Sequence, residues 1–100
     1  MNYADYALVF KALADETRLK IIDMLAENEL CACKILEGLD ITQPTLSYHM
    51  KMLCECGLVC GKRDGAWIRY TLKNESLALL TVFLCRLNYT PESKKSVRKK

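Results

Sequence analysis

The sequence predicts a mainly α-helical domain that contains one β-hairpin. Apolar residues recur at helical spacing over most of the chain, and one Asp-Gly turn signal separates two short β-prone runs. A length of 100 residues is enough for one domain and leaves no room for a second. We therefore expect residues 1–90 to form one folded domain, followed by a basic, disordered tail at residues 91–100.

Two helices are predicted before residue 28. Residues 3–13 carry apolar side chains at helical spacing, namely Tyr6, Val9, Phe10 and Leu13. Asp15 is a suitable N-cap for the second helix, which should run to about Glu27. The residues that this helix is expected to bury are Leu19, Ile22 and Leu25, flanked by Ile21 and Met24.

The third and fourth helices are separated by a short turn. The third should span about Cys31 to Glu37, where Gly38 can adopt the left-handed conformation that ends many helices. The fourth should begin at Thr42 or Gln43, with a proline in its first turn, and stop at Gly57. Its inner stripe is formed by Leu46, Met50 and Leu53.

A hairpin and a last helix complete the chain. The β-prone runs 58–63 and 66–72 flank Asp64-Gly65, a typical type I′ turn pair. Trp67 and Tyr70 are expected to pack the hairpin against the body of the domain. The last helix, from Asn74 or Glu75 to Asn88, is apolar almost all round, so it must bury more than one face. In so short a chain, this pattern indicates a homodimer.

The order of these elements is that of a winged helix-turn-helix. The third and fourth helices form the helix-turn-helix, and the hairpin forms the wing.

The composition excludes several classes of protein. His49 is the single histidine, and the sequence contains no catalytic-triad spacing, glycine-rich phosphate loop or HExxH pair, so we expect no enzyme. No apolar run is long enough to span a membrane, and charged residues interrupt the N-terminus before a signal peptide could form. We therefore expect a cytoplasmic protein.

Charge and polarity point to DNA as the partner. The net charge is +3, but residues 1–42 are acidic, whereas residues 43–73 and the tail are basic. Small polar side chains at the start of a helix can approach base edges in the major groove, and a basic wing can contact phosphates. A merely solvated face is the alternative. The residues predicted to contact DNA are Gln43, Thr45, Ser47, Tyr48, His49, Lys51, Lys62, Arg63 and Arg69.

Six cysteines are many for a chain of this length, and they suit metal binding, redox sensing or simple packing. Cys31 and Cys33 lie at a predicted helix start, where the helix dipole favours thiolates that bind soft ions. Side chains two residues apart in a regular helix point about 200° from each other, so one ion could bridge them only if the first turn unwound. The remaining cysteines are expected to be packed in the domain: Cys54, Cys56, Cys60 and Cys85.

Several segments together resemble the ArsR/SmtB family of metalloregulatory repressors. They are Phe10–Ile21, Gln43–Leu53, Gly57–Val59, Lys62–Gly65 and Tyr70–Leu72. The stretch Glu29–Cys33 is similar to the thiolate signature of the arsenic-responsive members. This resemblance implies a homodimer paired through the first and last helices, which represses a resistance operon. It also implies release from the operator when trivalent arsenic or antimony binds Cys31 and Cys33, with no permanently bound cofactor. A two-fold dimer should recognise an inverted repeat.

The sequence departs from the family pattern at two places. Leu36 stands where the best-known arsenic site has a third cysteine, so a third ligand would be another cysteine (Cys54, Cys56, Cys60 or Cys85), an outside thiol or water, or absent. The last helix lacks the Asp/His and His/Glu pairs of the zinc-sensing branch. A thiol-redox repressor, a cadmium or lead sensor, and a protein-interaction module of the same fold remain the alternatives.

Overall fold

The computed structural model describes residues 1–88 of the chain. Within these residues, five helices surround a three-stranded antiparallel sheet, in which β3 lies between β1 and β2. The elements in chain order are α1 (Tyr3–Leu13), α2 (Glu16–Leu25), β1 (Leu30–Cys31), α3 (Ala32–Glu37), α4 (Gln43–Glu55), β2 (Val59–Asp64), β3 (Trp67–Leu72) and α5 (Asn74–Asn88). The predicted tail at residues 91–100 lies outside the described residues.

The first two helices begin at side-chain caps. The Asn2 side chain accepts a hydrogen bond from the Asp5 N–H (2.9 Å), and the Asp5 carboxylate accepts one from the Asn2 N–H (3.0 Å). This reciprocal arrangement satisfies two amides that a helix start leaves unpaired. Asp15 caps α2 by accepting from the Arg18 N–H at 3.0 Å, which confirms the predicted cap. The helix ends at Leu25, two residues before the predicted end.

The buried face of α2 differs from the prediction. Leu19 is 52% exposed, whereas Ile21 is completely buried and Leu25 almost so. The third inward position belongs to Arg18, a charged residue that the hydrophobic pattern excluded. The prediction was correct for Leu25 and wrong for Leu19, because the stripe was drawn through the apolar residues only and the inner face is rotated toward Arg18.

A two-residue strand was missed by the sequence analysis. In β1, Leu30 is paired with Tyr70 and Cys31 with Arg69 of β3. Cys31 is therefore an extended residue (φ −78°, ψ 160°) that precedes α3 instead of belonging to it. Two residues are too few to show the alternation by which strands are recognised in a sequence.

Apart from the start of α3, the boundaries of the helix-turn-helix are close to those predicted, but the role predicted for Gly38 is not confirmed. Thr42 caps α4, and Gly57 ends the turn after it with a φ of +87°, where a side chain would be strained. Gly38 has a φ of −88°, so it is not in the left-handed region, contrary to the prediction. A Cβ at residue 38 would lie 2.9 Å from the Met24 Cε, the end of a flexible side chain that would have to shift.

The hairpin forms, but its turn is shifted by one residue. Asp64 pairs with Trp67, so the two loop residues are Gly65 and Ala66. Gly65 has a φ of +67°, and no other residue of this loop has a positive φ. A positive φ at the first loop residue alone is the pattern of a type II′ turn, which replaces the predicted type I′ turn.

The core lies between α4 and the elements around it. The predicted inner stripe of α4 is confirmed, because Leu46, Met50 and Leu53 are buried. Tyr70 is also buried, as predicted, whereas Trp67 is 50% exposed. The other buried apolar residues are Val9, Ala12, Ile21, Leu25, Ile35, Leu58, Val59 and Leu80.

The last helix packs on the first through aromatic rings. The Phe83 ring stacks on Tyr6, with 4.1 Å between the ring centroids, and Phe10 lies 6.3 Å from Phe83. The observed elements confirm the predicted mainly helical fold with a hairpin wing.

Within residues 1–88, no helix is both long enough and apolar enough to cross a membrane.

Candidate DNA-binding surface and thiol site

One face of α4 carries a row of exposed polar side chains. Gln43, Ser47 and Lys51 lie four residues apart, which places them along one side of the helix, and Tyr48 lies beside them with its ring 57% exposed. Thr45 is exposed as well, and its hydroxyl accepts a hydrogen bond from the Thr42 hydroxyl at 3.0 Å. This row provides donors and acceptors on the exposed face of a helix whose other face is buried in the core.

The wing places two exposed cations beside that row. Lys62 and Arg63 are consecutive on β2, so they point to opposite faces of the sheet. Arg63 lines a cleft together with Gln43 and Ser47 of α4. Lys62 is on the outer face, where its strand partner is Arg69.

His49 lies on the inner side of α4, which corrects the prediction that it faces DNA. It is only 9% exposed, and its Nδ1 lies 3.0 Å from Nη1 of Arg18. Arginine can only donate, so Nδ1 is the acceptor. Asp15 Oδ2 lies 3.9 Å from the same nitrogen.

Arg18 is a buried structural residue that the sequence analysis missed. Its Nε donates a 2.6 Å hydrogen bond to the Ala12 carbonyl, one of the groups that the end of α1 leaves without a helical partner. Its other arm reaches His49, so one buried guanidinium joins α1, α2 and α4. No sequence signal marked it, because an arginine in a helix is normally exposed.

Arg69 is engaged by two carboxylates. Its Nε lies 3.1 Å from Asp64 Oδ2 and 3.6 Å from Glu29 Oε2. The hydrogen bond to Asp64 raises the pKa of Arg69, with a smaller contribution from Glu29. Its charge is therefore largely compensated within the domain, unlike the charges of Lys62 and Arg63.

Cys31 and Cys33 lie together at the junction of β1 and α3. Hydrogen bonding from the Cys33 thiol, followed by that from the Lys34 N–H, lowers the pKa of Cys31, and the Arg69 guanidinium acts in the same direction. The pKa of Cys33 is raised, chiefly by its interaction with Cys31. The two thiols thus form one unit with Cys31 as the preferred thiolate.

This geometry corrects the expectation that the two side chains diverge. The angle of 200° applies when both residues belong to a regular helix, and Cys31 is instead extended before the helix. The opposite directions in which each thiol shifts the pKa of the other indicate that they lie near each other, so the regular-helix argument for unwinding α3 does not apply.

The other cysteines do not join this pair. Burial raises the pKa of Cys54 and of Cys56, and the Cys56 thiol donates to the Leu53 carbonyl at 3.3 Å. Cys60 is on β2, on the far side of β3 from Cys31, and two strand spacings amount to about 10 Å. Cys85 is exposed, contrary to the prediction that it is packed. Among residues 1–88, no three metal-binding side chains are grouped for one ion.

The sequence is similar to those of known bacterial regulatory proteins. Residues 15–60 match the family described as "Bacterial regulatory protein, arsR family". The arsenical resistance operon repressor of Staphylococcus xylosus is 43% identical over 77 residues, which are 77% of this chain and 74% of that protein. A cadmium resistance transcriptional regulatory protein of Staphylococcus aureus is 36% identical over 80 residues, covering 79% of this chain and 66% of that protein.

Solved structures share the fold. An ArsR-like transcriptional regulator from Rhodococcus sp. RHA1 has a TM-score of 0.77 and 32% identity, and the match covers 86% of this chain and 81% of that one. The homodimeric winged helix-turn-helix DNA-binding domain of a possible ArsR-family regulator from Mycobacterium bovis has a TM-score of 0.71 and 28% identity, covering 85% and 80%.

Fold and surface together define a winged helix-turn-helix transcriptional regulator, a class of DNA-binding proteins that are not enzymes. The chain belongs to the ArsR family of transcriptional repressors.

Proposed function

We propose that this repressor controls a resistance operon and leaves its operator when trivalent arsenic or antimony bridges Cys31 and Cys33. The observation that carries the proposal is the position of Cys31 and Cys33 at the junction of β1 and α3, where β1 pairs with β3 of the wing. The relatives named for arsenical resistance support arsenic as the inducer, and the relative named for cadmium resistance makes cadmium the alternative to be tested.

The proposed DNA-contacting surface is the exposed row of α4 with the tip of the wing. Side chains on α4 read base edges in the major groove, and the wing cations contact phosphates. The members of this surface are Gln43, Thr45, Ser47, Tyr48, Lys51, Lys62 and Arg63. His49 and Arg69 are assigned to the frame that holds it, because their partners lie within the domain.

We propose that the operator-binding form is a homodimer paired through α1 and α5. Both helices leave large apolar side chains exposed in the single chain: Tyr3, Leu8, Phe10, Leu79, Val82, Leu84 and Leu87. The similar Mycobacterium bovis domain is described as homodimeric, which supports a homodimer here. A two-fold dimer binds an inverted repeat whose half-sites are about one helical turn apart. In this proposal residues 1–90 form the binding and dimerisation domain, and the basic tail adds salt-sensitive attraction to DNA.

Thiolate chemistry explains why a soft ion is the inducer. Two sulfur ligands suit thiophilic ions and discriminate against Mg²⁺ and Ca²⁺. Cys31 is on the strand that pairs with β3 of the wing, and Cys33 borders the start of α4. An ion held by both therefore acts on the two elements that face DNA. Whatever binds the DNA-free form more tightly weakens operator binding by the same factor.

The test is operator release measured by fluorescence anisotropy. The labelled DNA is the region upstream of the protein's own operon, and arsenite, antimonite, cadmium and peroxide are titrated separately. Arsenite should weaken operator binding of the unmodified protein by about 5- to 150-fold, the usual range of allosteric coupling. Cys31→Ser and Cys33→Ser should bind the operator normally and lose this response.

Cys56→Ser is the matched control, because a serine hydroxyl can keep the hydrogen bond to the Leu53 carbonyl. It should respond like the unmodified protein. Normal induction of the Cys31→Ser/Cys33→Ser double variant would refute the site. Release by cadmium or peroxide but not by arsenite would refute the inducer and favour the corresponding alternative.

A further inference from the structure

The thiol pair borders an apolar cleft between α3, α4 and the wing. The cleft has a volume of about 330 Å³, at the lower end of the range for small-molecule sites. Its walls are mainly apolar, with Cys33 at one side, and the lining side chains are Ala32, Cys33, Leu36, Glu37, Gln43, Leu46 and Trp67. No part of the proposed function so far uses this cleft.

The number of thiols leaves one valence of arsenic free. Trivalent arsenic forms three single bonds, and Cys31 and Cys33 supply two sulfur atoms. Within residues 1–88 no third cysteine joins them, so the third substituent points away from the thiol pair. Cys33 itself lines the cleft, so a substituent on arsenic bound there can enter it.

We propose that the preferred inducers are trivalent organoarsenicals with one carbon substituent, which is held in this cleft. The inference rests on the proposed function, because it requires arsenic to bind Cys31 and Cys33. An organoarsonous acid, R–As(OH)₂, exchanges both hydroxyls for the two thiols. Two As–O bonds break, two As–S bonds form, and each departing hydroxide takes one thiol proton to leave as water. The As–C bond stays intact, and no electrons are transferred.

The lining chemistry favours carbon over oxygen as the third substituent. A hydroxyl on inorganic arsenite could bond only the polar lining residues Glu37 and Gln43 or water, and it would gain nothing from the apolar walls at Leu36, Leu46 and Trp67. A phenyl group would instead remove apolar area from water. Because the cleft is open on one side, we expect about a tenfold gain in affinity over arsenite, less than full burial of such a ring would give.

The same cleft connects the ligand with the DNA-facing elements. Gln43, at the start of α4, and Trp67, at the start of β3, line opposite parts of it. A ring held between them fixes the spacing of α4 from the wing. Organic substituents should therefore increase the extent of operator release as well as the affinity.

Trp67 is the only tryptophan in the chain, and this makes the binding step directly visible. Its fluorescence is followed while arsenite, methylarsonous acid or phenylarsonous acid is added to the full-length protein without DNA. We expect half-saturation with phenylarsonous acid at about a tenth of the arsenite concentration, with methylarsonous acid in between. The Cys31→Ser/Cys33→Ser variant should lose the signal for all three.

Two variants alter the cleft without touching the thiols. Ala32→Leu fills the cleft, and Trp67→Ala removes one wall; for the second, binding is followed by operator release. Both should retain the arsenite response and reduce the tenfold preference for phenylarsonous acid to about one. Equal sensitivity of the unmodified protein to both compounds, or a preference unchanged in both variants, would overturn the inference.

The arsenite arm separates this inference from the proposed function. A thiol-dependent arsenite response without an organic preference would overturn only the cleft assignment. An arsenite response that persists in the Cys31→Ser/Cys33→Ser variant would overturn the thiol site, and the inference with it.

Discussion

Replacing Arg18 by methionine should destabilise the domain by about 3 kcal/mol. Arg18 is 8% exposed, and methionine can retain much of its packing while removing the guanidinium. The change leaves the Ala12 carbonyl and the His49 Nδ1 without their donors at 2.6 and 3.0 Å. Hydrogen bonds from a charged donor contribute about 1.5–3 kcal/mol each, and the avoided burial of a charge offsets part of the sum.

The free energy of unfolding is measured by urea denaturation at one fixed protein concentration, because dimerisation makes apparent stability depend on concentration. The matched control is Lys20→Met in the same helix. Lys20 is exposed, and its ion pair with Glu16 spans 3.8 Å, so the control should change stability by less than about 0.5 kcal/mol.

A double-mutant cycle tests whether Arg18 acts through His49. If the two side chains form one unit, Arg18→Met and His49→Leu together should cost less than the sum of the single variants. Additive losses would show that the contact between them contributes nothing. A loss below about 0.5 kcal/mol for Arg18→Met alone would refute the role of the guanidinium altogether.

Three further changes test the cap, the wing and the dimer. Asp15→Ala should cost about 1 kcal/mol at pH 7 and Asp15→Asn much less, since asparagine also caps helices. The Arg18 N–H lowers the pKa of Asp15 in the folded state, so this contribution is present above the unfolded pKa of about 3.9 and is lost as the pH falls through the folded value. Urea titrations at pH 7 and at about pH 2.5 should therefore show the deficit of the Ala variant become smaller at the lower pH, and a constant deficit would contradict this. Gly61→Ala should lower the free energy of unfolding by about 1–3 kcal/mol in the same assay, because its Cβ would lie 2.7 Å from the buried Tyr70 ring. An unchanged denaturation midpoint would show that the ring moves freely. The side chains of Val82 and Leu87 are 61% and 58% exposed in the single chain. Val82→Asp and Leu87→Asp should each raise the dimer dissociation constant, measured by analytical ultracentrifugation, at least about tenfold. An unchanged constant would exclude α5 from the interface.

Local signals made most of the fold predictable. Asp15 and Thr42 cap helices by hydrogen bonds to amides three residues away, so the sequence around each cap contains everything needed to recognise it. Gly57 ends the turn after α4 because its φ is positive, a conformation that favours glycine. The inner stripe of α4 follows from helical periodicity, and it was predicted correctly.

The missed features depend on partners far along the chain. β1 exists because Leu30 meets Tyr70, and Arg18 is buried because His49 lies 31 residues later in the sequence. The site at Cys31 and Cys33 stays a prediction, but the helical geometry assumed for it was wrong, because Cys31 is extended before α3. Whether the thiols diverge or converge depends on one residue of helix boundary, and the pairing of β1 decides that boundary.

The two-residue strand β1 also has a kinetic consequence. Only two pairs of residues hold it to β3, so its release from the sheet exposes little apolar surface and costs far less than global unfolding. We therefore expect Cys31 to become accessible through a local opening that is more frequent than global unfolding. Exchange of the Cys31 amide with deuterium should be faster than exchange in α4, and the same opening would set an upper limit on how quickly the protein responds to a thiol-reactive ligand.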